Sequence, residues 1–419
     1  MTQSSSIDAY LRPSKHSETL LINQLSQTRE KNNQLVYKFG FGQSPFPVPQ
    51  TIAQSLSDSA HRKEYMSVQG HAPLRRAICS FHNKLEGKTW DAERVVIGAG
   101  SKILLFCIMA AFERAEILLP APSWVSYEPQ GKLAGHKVTW LETDFAGRWV
   151  LSASALEEYC AARSEPELPL ILVLNSPSNP SGQSYSATEL KALALVMKKY
   201  KVIVIADEIY SLLSYQKDYA SIADYYPEGS IVSSGLSKWC GAGGWRLGFI
   251  HIPAQLGENL LQAVIGIASE TYSCAPSPIQ VAATKAYQDV SLAKNFLSKQ
   301  AELLRLISGY CSDQLINSGV QVHAAEGGFY LFPDFSAFRQ KLLTRGIATG
   351  EQLTATIMQE TGVALLPGNA FGMPAESLTA RLAFVDFDGS QIWHRSDKQF
   401  EFDRIRQGIG KLCDWLGEL

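Results

Sequence analysis

No two of the seven cysteines form a C-x-x-C pair, and their number is odd. Neither a disulfide framework nor a thiolate metal site is indicated, and a reducing, cytoplasmic setting is expected. The eight histidines show no H-x-x-x-H or H-E-x-x-H spacing, which leaves histidine-based metal chemistry without support. Long apolar runs are missing too. The N-terminal MTQSSSIDAYLRPSKHSETL has no signal-type apolar segment, and the most apolar run, ILLFCIMAAF at 103–112, is too short to cross a bilayer. Export and membrane anchoring are not expected. An excess of one charge is also lacking: 38 Lys and Arg meet 40 Asp and Glu, a net charge of -2. Such a balance singles out neither nucleic acid nor a membrane surface as partner.

What remains is an ordinary globular composition, 46% hydrophobic and 19% charged. At 419 residues the chain exceeds what one core usually fills, so two domains are expected. Apolar runs alternate with helical patterns: VVIG (95–98), EILLP (116–120), LILVLN (170–175), VIVIAD (202–207) and SIVSSG (230–235). Continuous apolar strands separated by helices predict an α/β fold with a mainly parallel sheet covered on both faces. SATELKALALVMKKY (186–200) reads as one crossover helix, with Ser186 and Glu189 spaced for a capping box and Leu190, Leu193, Val196, Met197 and Tyr200 on one stripe. Downstream, a helical pattern from about Ala293 to Asn317, then GGFYLFPDF (327–335), a further helix-like stretch, ALLPG and RLAFVDF read as a smaller α+β domain. The polar first 35 residues read as an arm with a mobile tip.

In open α/β sheets ligands sit beyond the carboxyl ends of the strands. The segments there are GAGSK (98–102), APSWVSY (121–127), NSPSNPSG (175–182), DEIY (207–210) and SGLSK (234–238). Taken singly, each has a plain explanation: a tight turn at Gly98-x-Gly100, a solvated pair at Asp207 and Glu208, packing at Trp124, a turn at N-P-S-G, a surface lysine at Lys238. The glycine pair is read as a turn, because position 103 is Ile and the dinucleotide pattern G-x-G-x-x-G fails. Five polar or aromatic loops at one sheet edge are harder to dismiss together.

These residues, in order and spacing, resemble the motif series of the class I/II aminotransferases, the aspartate aminotransferase superfamily and fold type I of the pyridoxal-phosphate enzymes. The resemblance rests on N-P-S-G (179–182), D-E-I-Y (207–210), S-K (237–238), G-W-R-L-G (244–248) and R-L-A-F (381–384). It extends to F-G-x-G-x-x-x-F-P-x-P (39–49), Y-x-x-x-x-G-x-x-x-L-R (65–75), P-A-P-x-W-x-S-Y (120–127), GGFYLFP (327–333) and P-G-x-A-F-G (367–372). It covers about Tyr37 to Val385 and is far more specific for fold and cofactor than for substrate.

The resemblance implies an N-terminal arm with the first part of a small domain (1–50), a large cofactor-binding domain (51–300) and a small C-terminal domain (301–419). Pyridoxal 5'-phosphate is the cofactor it implies, with Lys238 as the Schiff-base lysine and proton carrier, the aldimine through which an L-α-amino acid passes its amino group to a 2-oxo acid. Asp207 matches the carboxylate that keeps the pyridine nitrogen protonated. Asn179 and Tyr210 match the groups bonded to the phenolic oxygen, and Trp124 matches the aromatic stacked on the ring. Gly100, Ser101 and Lys102 open a helix whose N–H groups suit a phosphate, joined by Ser237 and Arg246. Gly235 departs from the series: some members carry a phosphate-binding serine there, and one hydroxyl contact is expected to be missing. Arg381 matches the arginine that grips the substrate α-carboxylate, with Gly42 approaching it through its backbone and Trp124 and Asn179 also facing substrate. This reading of Arg381 is preferred to a buried ion pair with Asp386 or Asp388. Tyr65 matches the tyrosine that reaches the phosphate from the other subunit, which implies a homodimer with shared sites.

The rival readings are another pyridoxal-phosphate reaction (a carbon–sulfur β-lyase or an amino-acid oxidase), a non-catalytic effector-binding domain, and a nucleotide-dependent oxidoreductase. The effector-binding reading lacks a basic helix-turn-helix before Tyr37, and the oxidoreductase rests on Gly98-x-Gly100 alone. The segment GIASETYSCAPSPIQ (266–280) offers Glu270 and Tyr272 but no assignable cation for a second carboxylate. Aspartate, aromatic and other neutral amino acids all stay open.

Overall fold

Five apolar runs become five strands of one seven-stranded sheet. In the computed structural model, which describes residues 18–393 and 401–419, these are β1 (Val95–Gly98), β2 (Glu116–Ala121), β4 (Leu170–Asn175), β5 (Ile203–Asp207) and β6 (Ser230–Gly235). Two strands were not anticipated, β3 (Lys137–Glu142) and β7 (Gly248–His251). β3 is an edge strand with a half-exposed, polar sequence, so it lacks the apolar run that marks a central strand. β7 is four residues long and starts inside the G-W-R-L-G stretch.

The sheet order is β1-β7-β6-β5-β4-β2-β3. Pairings from β3 through β6 are parallel, and β7 runs antiparallel to both neighbours. Strand alternation sorts the apolar side chains to two faces. Ile171, Val173, Ile205 and Ile231 meet Leu104, Leu105 and Ile108 of the helix Ser101–Ala110. Leu172, Leu174, Val204 and Val232 meet Leu190, Leu193, Val196 and Met197 of the helix Ala187–Tyr200. That helix carries the expected capping box between Ser186 and Glu189.

A second, three-stranded sheet follows: β8 (Tyr330–Leu331), β9 (Leu366–Pro367) and β10 (Ala380–Ala383), in the order β8-β10-β9. The helices Val290–Asn317 and Gly350–Thr361 pack against it, and Asp403–Gly417 packs against those two helices. Within the supposed arm, Glu18–Lys31 is a helix, and Ile22 on it lies so close to Gly40 that a Cβ there would come within 2.7 Å. The tip of the arm, residues 1–17, lies outside the described residues. The extended stretch beyond the helix joins the small sheet, Ala383 N donating to Phe39 O at 2.8 Å. Among the described residues no helix is long and apolar enough to cross a membrane.

Replacing Ser186 by Ala removes one half of the capping box and should lower stability by about 1 kcal/mol, read as a shift of the denaturation midpoint with activity retained.

Candidate active site

The carboxyl ends of β1, β2, β4, β5 and β6 and the small sheet enclose a cavity of about 380 Å³. Its walls include Gly42, Ser101, Lys102, Trp124, Asn179, Asp207, Tyr210, Ser237, Lys238, Arg246 and Arg381. Of the residues singled out in the sequence, Gly100 stands just behind this wall, and Tyr65 is apart from it with 91% of its surface exposed.

Register explains the convergence. Asn175 and Asp207 face each other across β4 and β5, and Asp207 faces Ser233 across β5 and β6. Asp207 is buried; its Oδ2 accepts from Tyr127 Oη at 2.6 Å and its Oδ1 from Ile209 N at 3.3 Å. Burial pushes its carboxyl up to about 6, against the Tyr127 hydrogen bond, which favours the anion. Its neighbour Glu208 turns away, as successive residues do at a strand end, and accepts a hydrogen bond from Ser221 Oγ.

Lys238 Nζ donates to Gly42 O at 2.9 Å. Burial first, then the positive charges of Arg381 and Arg246, lower its pKa to about 8. Arg381 is buried, and its guanidinium donates to Asn179 Oδ1 at 3.0 Å and Gly40 O at 2.6 Å. It lies over the rings of Tyr330 and Phe371, at 4.7 and 5.1 Å from their centroids, and among the described residues its Nε has no hydrogen-bond partner. Asp386 does not reach it; that carboxylate pairs with Arg404, and Asp388 accepts from Ser390 N.

At the other end of the cavity Gly98, Gly248 and Gly235 lie side by side on β1, β7 and β6. A Cβ on Gly248 would fall 2.3 Å from Ser101 N, and one on Gly235 would fall 2.7 Å from Leu247 O. The glycine that departs from the motif series is thus required by the close approach of β7. This bare edge lets the turn at Gly98 to Gly100 fold tightly, Gly100 N donating to Gly98 O at 2.7 Å. The helix Ser101–Ala110 then starts at Gly100 with no side-chain cap. Its first N–H groups and its dipole are left to an anion. Arg246 lies across that end and donates to the carbonyls of Gly243 and Ala99 at 3.0 and 3.5 Å. A Cβ on Gly100 would sit 2.0 Å from its Nη2. Lys102 Nζ stands 5.3 Å from the centroid of the Trp124 ring. Among the described residues no carboxylate pairs with Lys102, Lys238, Arg246 or Arg381.

Two wall residues stand inside stretches quoted above without having been given a role. Tyr127 ends APSWVSY and holds Asp207; Tyr330, in GGFYLFPDF, shares a 2.8 Å hydrogen bond with Tyr210. Each is a letter of a quoted motif, P-A-P-x-W-x-S-Y and GGFYLFP, and that place in the motif was the available signal. Leu20, Phe41 and Gln43 also line the cavity.

The model of the family described as aminotransferase class I and II matches residues 35–386. This chain belongs to that family. It is an enzyme, a transaminase, and the family transfers amino groups between amino acids and 2-oxo acids with pyridoxal phosphate. The chain is 30% identical over 368 residues to the aspartate aminotransferase of Geobacillus stearothermophilus, across 85% of this chain and 90% of the relative. It is 29% identical over 389 residues to a probable N-acetyl-LL-diaminopimelate aminotransferase of Bacillus subtilis, across 90% of this chain and 88% of the relative. In fold it is similar to Thermus thermophilus aspartate aminotransferase solved with maleate, with a TM-score of 0.83 at 20% identity over 99% of this chain and 100% of that one.

The depressed Lys238 pKa carries a checkable sign. Since burial disfavours the ammonium, the neutral amine accumulates once pH passes about 8. Acetylation of Lys238 in the cofactor-free protein, followed by peptide mass spectrometry, should therefore reach half its maximal rate near that pH, well below exposed lysines at roughly 10.4.

Proposed function

We propose that the chain holds pyridoxal phosphate in this cavity and moves the amino group of an L-α-amino acid to a 2-oxo acid. The observation that carries the reading is the set of cations, Lys238, Arg246 and Arg381, around one cavity with no carboxylate partner among the described residues. Arg381 is buried, Lys238 part-buried and Arg246 exposed at the rim, and cations gathered around one cavity without a counter-ion suit an anionic ligand. The bare glycine edge and the uncapped helix start suit a phosphate, and the orphaned Nε of Arg381 suits a carboxylate.

When bound, the cofactor supplies an electron sink for the electron pair released at the substrate α-carbon. Lys238 would anchor it and, once displaced by the incoming amine, would take the proton from that carbon as a neutral base. Asp207, fixed by Tyr127, would face the ring nitrogen and keep it protonated; a cation there would also draw the carboxylate's raised pKa back down. Asn179 and Tyr210 would bond the phenolic oxygen, and Trp124 would lie on the ring. Gly100, Ser101, Lys102, Ser237 and Arg246 would hold the phosphate. Arg381, aided by the Gly42 backbone, would grip the substrate α-carboxylate through a planar fork. Tyr65 would complete the phosphate site of a second copy, and its exposed position supports a homodimer with shared sites. Residues 51–300 would form the large cofactor-binding domain, with 1–50 and 301–419 contributing the arm and the small domain. The seven unpaired cysteines support a cytoplasmic setting.

Lys238→Ala should abolish turnover while the protein stays folded and dimeric by gel filtration. Borohydride reduction of the loaded wild type should fix the cofactor to Lys238; label on any other lysine would overturn the assignment.

Mixing one inactive and one impaired form tests the shared site. If Tyr65 serves the opposite copy, a heterodimer of Tyr65→Phe and Lys238→Ala holds one site with both lesions and one with neither. Its activity should rise to about half that of the wild-type dimer. Tyr65→Phe alone should be measurably impaired, since a charge-assisted hydrogen bond contributes roughly 1.5–3 kcal/mol. Activity no greater than the mean of the two parents would place Tyr65 in its own chain's site.

A further inference from the structure

The Tyr330 hydroxyl sits where three parts of the cavity meet. It shares a 2.8 Å hydrogen bond with Tyr210 Oη, and among the described residues neither phenol has another hydrogen-bond partner. On its other side is the backbone of Gly42, so close that a Cβ there would lie 1.9 Å from the Tyr330 oxygen. The carbonyl of Gly42 is in turn the acceptor for Lys238 Nζ. Pairing of Tyr330 with Ala383 across β8 and β10 sets Arg381, two residues along the same face, over the Tyr330 ring.

We propose that Tyr330 is a positioning residue: its hydroxyl donates to Tyr210, leaving Tyr210's own proton free for the cofactor. The inference rests on the cofactor reading above, and in particular on Tyr210 bonding the phenolic oxygen.

The direction of the bond follows from the charges around the two phenols. Burial, then the Tyr330 phenol itself, push Tyr210 well above its usual range. Burial raises Tyr330 as well, and the Arg381 guanidinium opposes the rise in both phenols; on Tyr330, whose ring it lies over, it is the largest influence after burial, whereas on Tyr210 it comes after the Tyr330 phenol. Tyr330 is therefore the more acidic phenol and the better donor. A phenol that accepts a hydrogen bond also becomes a stronger donor through its own proton. The other charged groups of this corner, Lys238 and Asp207, reach Tyr210 rather than Tyr330: Lys238 Nζ lies 5.5 Å from the Tyr210 ring, and Asp207 adds to the rise of Tyr210.

Tyr330→Phe removes the hydroxyl and keeps the ring under Arg381. The pH midpoint of the visible absorbance of the loaded enzyme should rise by about half to one unit, the equivalent of one hydrogen bond. The turnover number should fall roughly two- to tenfold with the amino-acid KM nearly unchanged, since Arg381 keeps its place. The thermal midpoint of the cofactor-free variant should stay within about 4 °C of wild type. Tyr210→Phe should shift the absorbance midpoint in the same direction, and adding Tyr330→Phe to it should shift nothing further, because the second change acts through the first. An unmoved midpoint in Tyr330→Phe, or a full additional shift in the double variant, overturns the positioning role while leaving the cofactor reading intact. A Tyr210→Phe enzyme with an unmoved midpoint overturns the role given to Tyr210, and this inference with it.

Discussion

A guanidinium and an ammonium kept from water with no carboxylate beside them set the terms for everything around the cavity. Uncompensated buried charges are costly, by several kcal/mol each in real proteins. The protein offsets this with neutral dipoles: the carbonyls of Gly40 and Gly42, the amide of Asn179 and two aromatic faces. Such partners stabilise a cation without neutralising it, which leaves the positive potential available to a ligand. A carboxylate in the same place would have satisfied the protein and shut the site. The segment around residues 39–42 is accordingly part of the site, although it forms no named strand of either sheet.

The same restraint appears at the acidic end. Asp207 is held by a phenol and a backbone amide, and burial alone raises its pKa. Among the described residues no basic side chain pairs with it. Cations and carboxylate therefore face one another across a space about the size of a small ligand, each partly satisfied by dipoles and each able to gain from what fills the gap. Preorganised but incompletely matched charges are what electrostatic catalysis requires, since no reorganisation is left for the moment of reaction.

Much of this was legible in the sequence, and the parts that were not share a cause. Central strands announce themselves as apolar runs, and the residues after them fall at one edge by topology, so the loops could be read as a set. The matched region of the family model, 35–386, coincides closely with the span from Tyr37 to Val385 marked out by the motifs. Tyr127 and Tyr330 stood in quoted motifs without a role, because a tyrosine beside apolar residues is most often core. Their hydroxyl partners lie 80 and 120 residues away and become known only from the register of the strands. Strand β3 was hidden by its half-polar edge sequence, and β7 by its brevity. Gly235 could be recognised as a departure, but the reason for it, the backbone of Leu247 and Gly248 pressed against it, is a tertiary fact.

The row of glycines across β1, β7 and β6 gives the two ends of the cavity very different freedom to change. At the glycine-lined end backbone meets backbone, and a single added methyl group on Gly248 or Gly235 would collide with main-chain atoms, which would have to shift to admit it. A side chain at either position therefore requires the neighbouring backbone to move with it. The opposite mouth is lined in part by Leu20, a half-exposed residue on the helix Glu18–Lys31, and by Phe41, and side chains there can be exchanged with little effect on the frame. In the proposed reading such a scaffold is fixed where it would hold the cofactor's phosphate and free to vary where it would meet the amino-acid side chain.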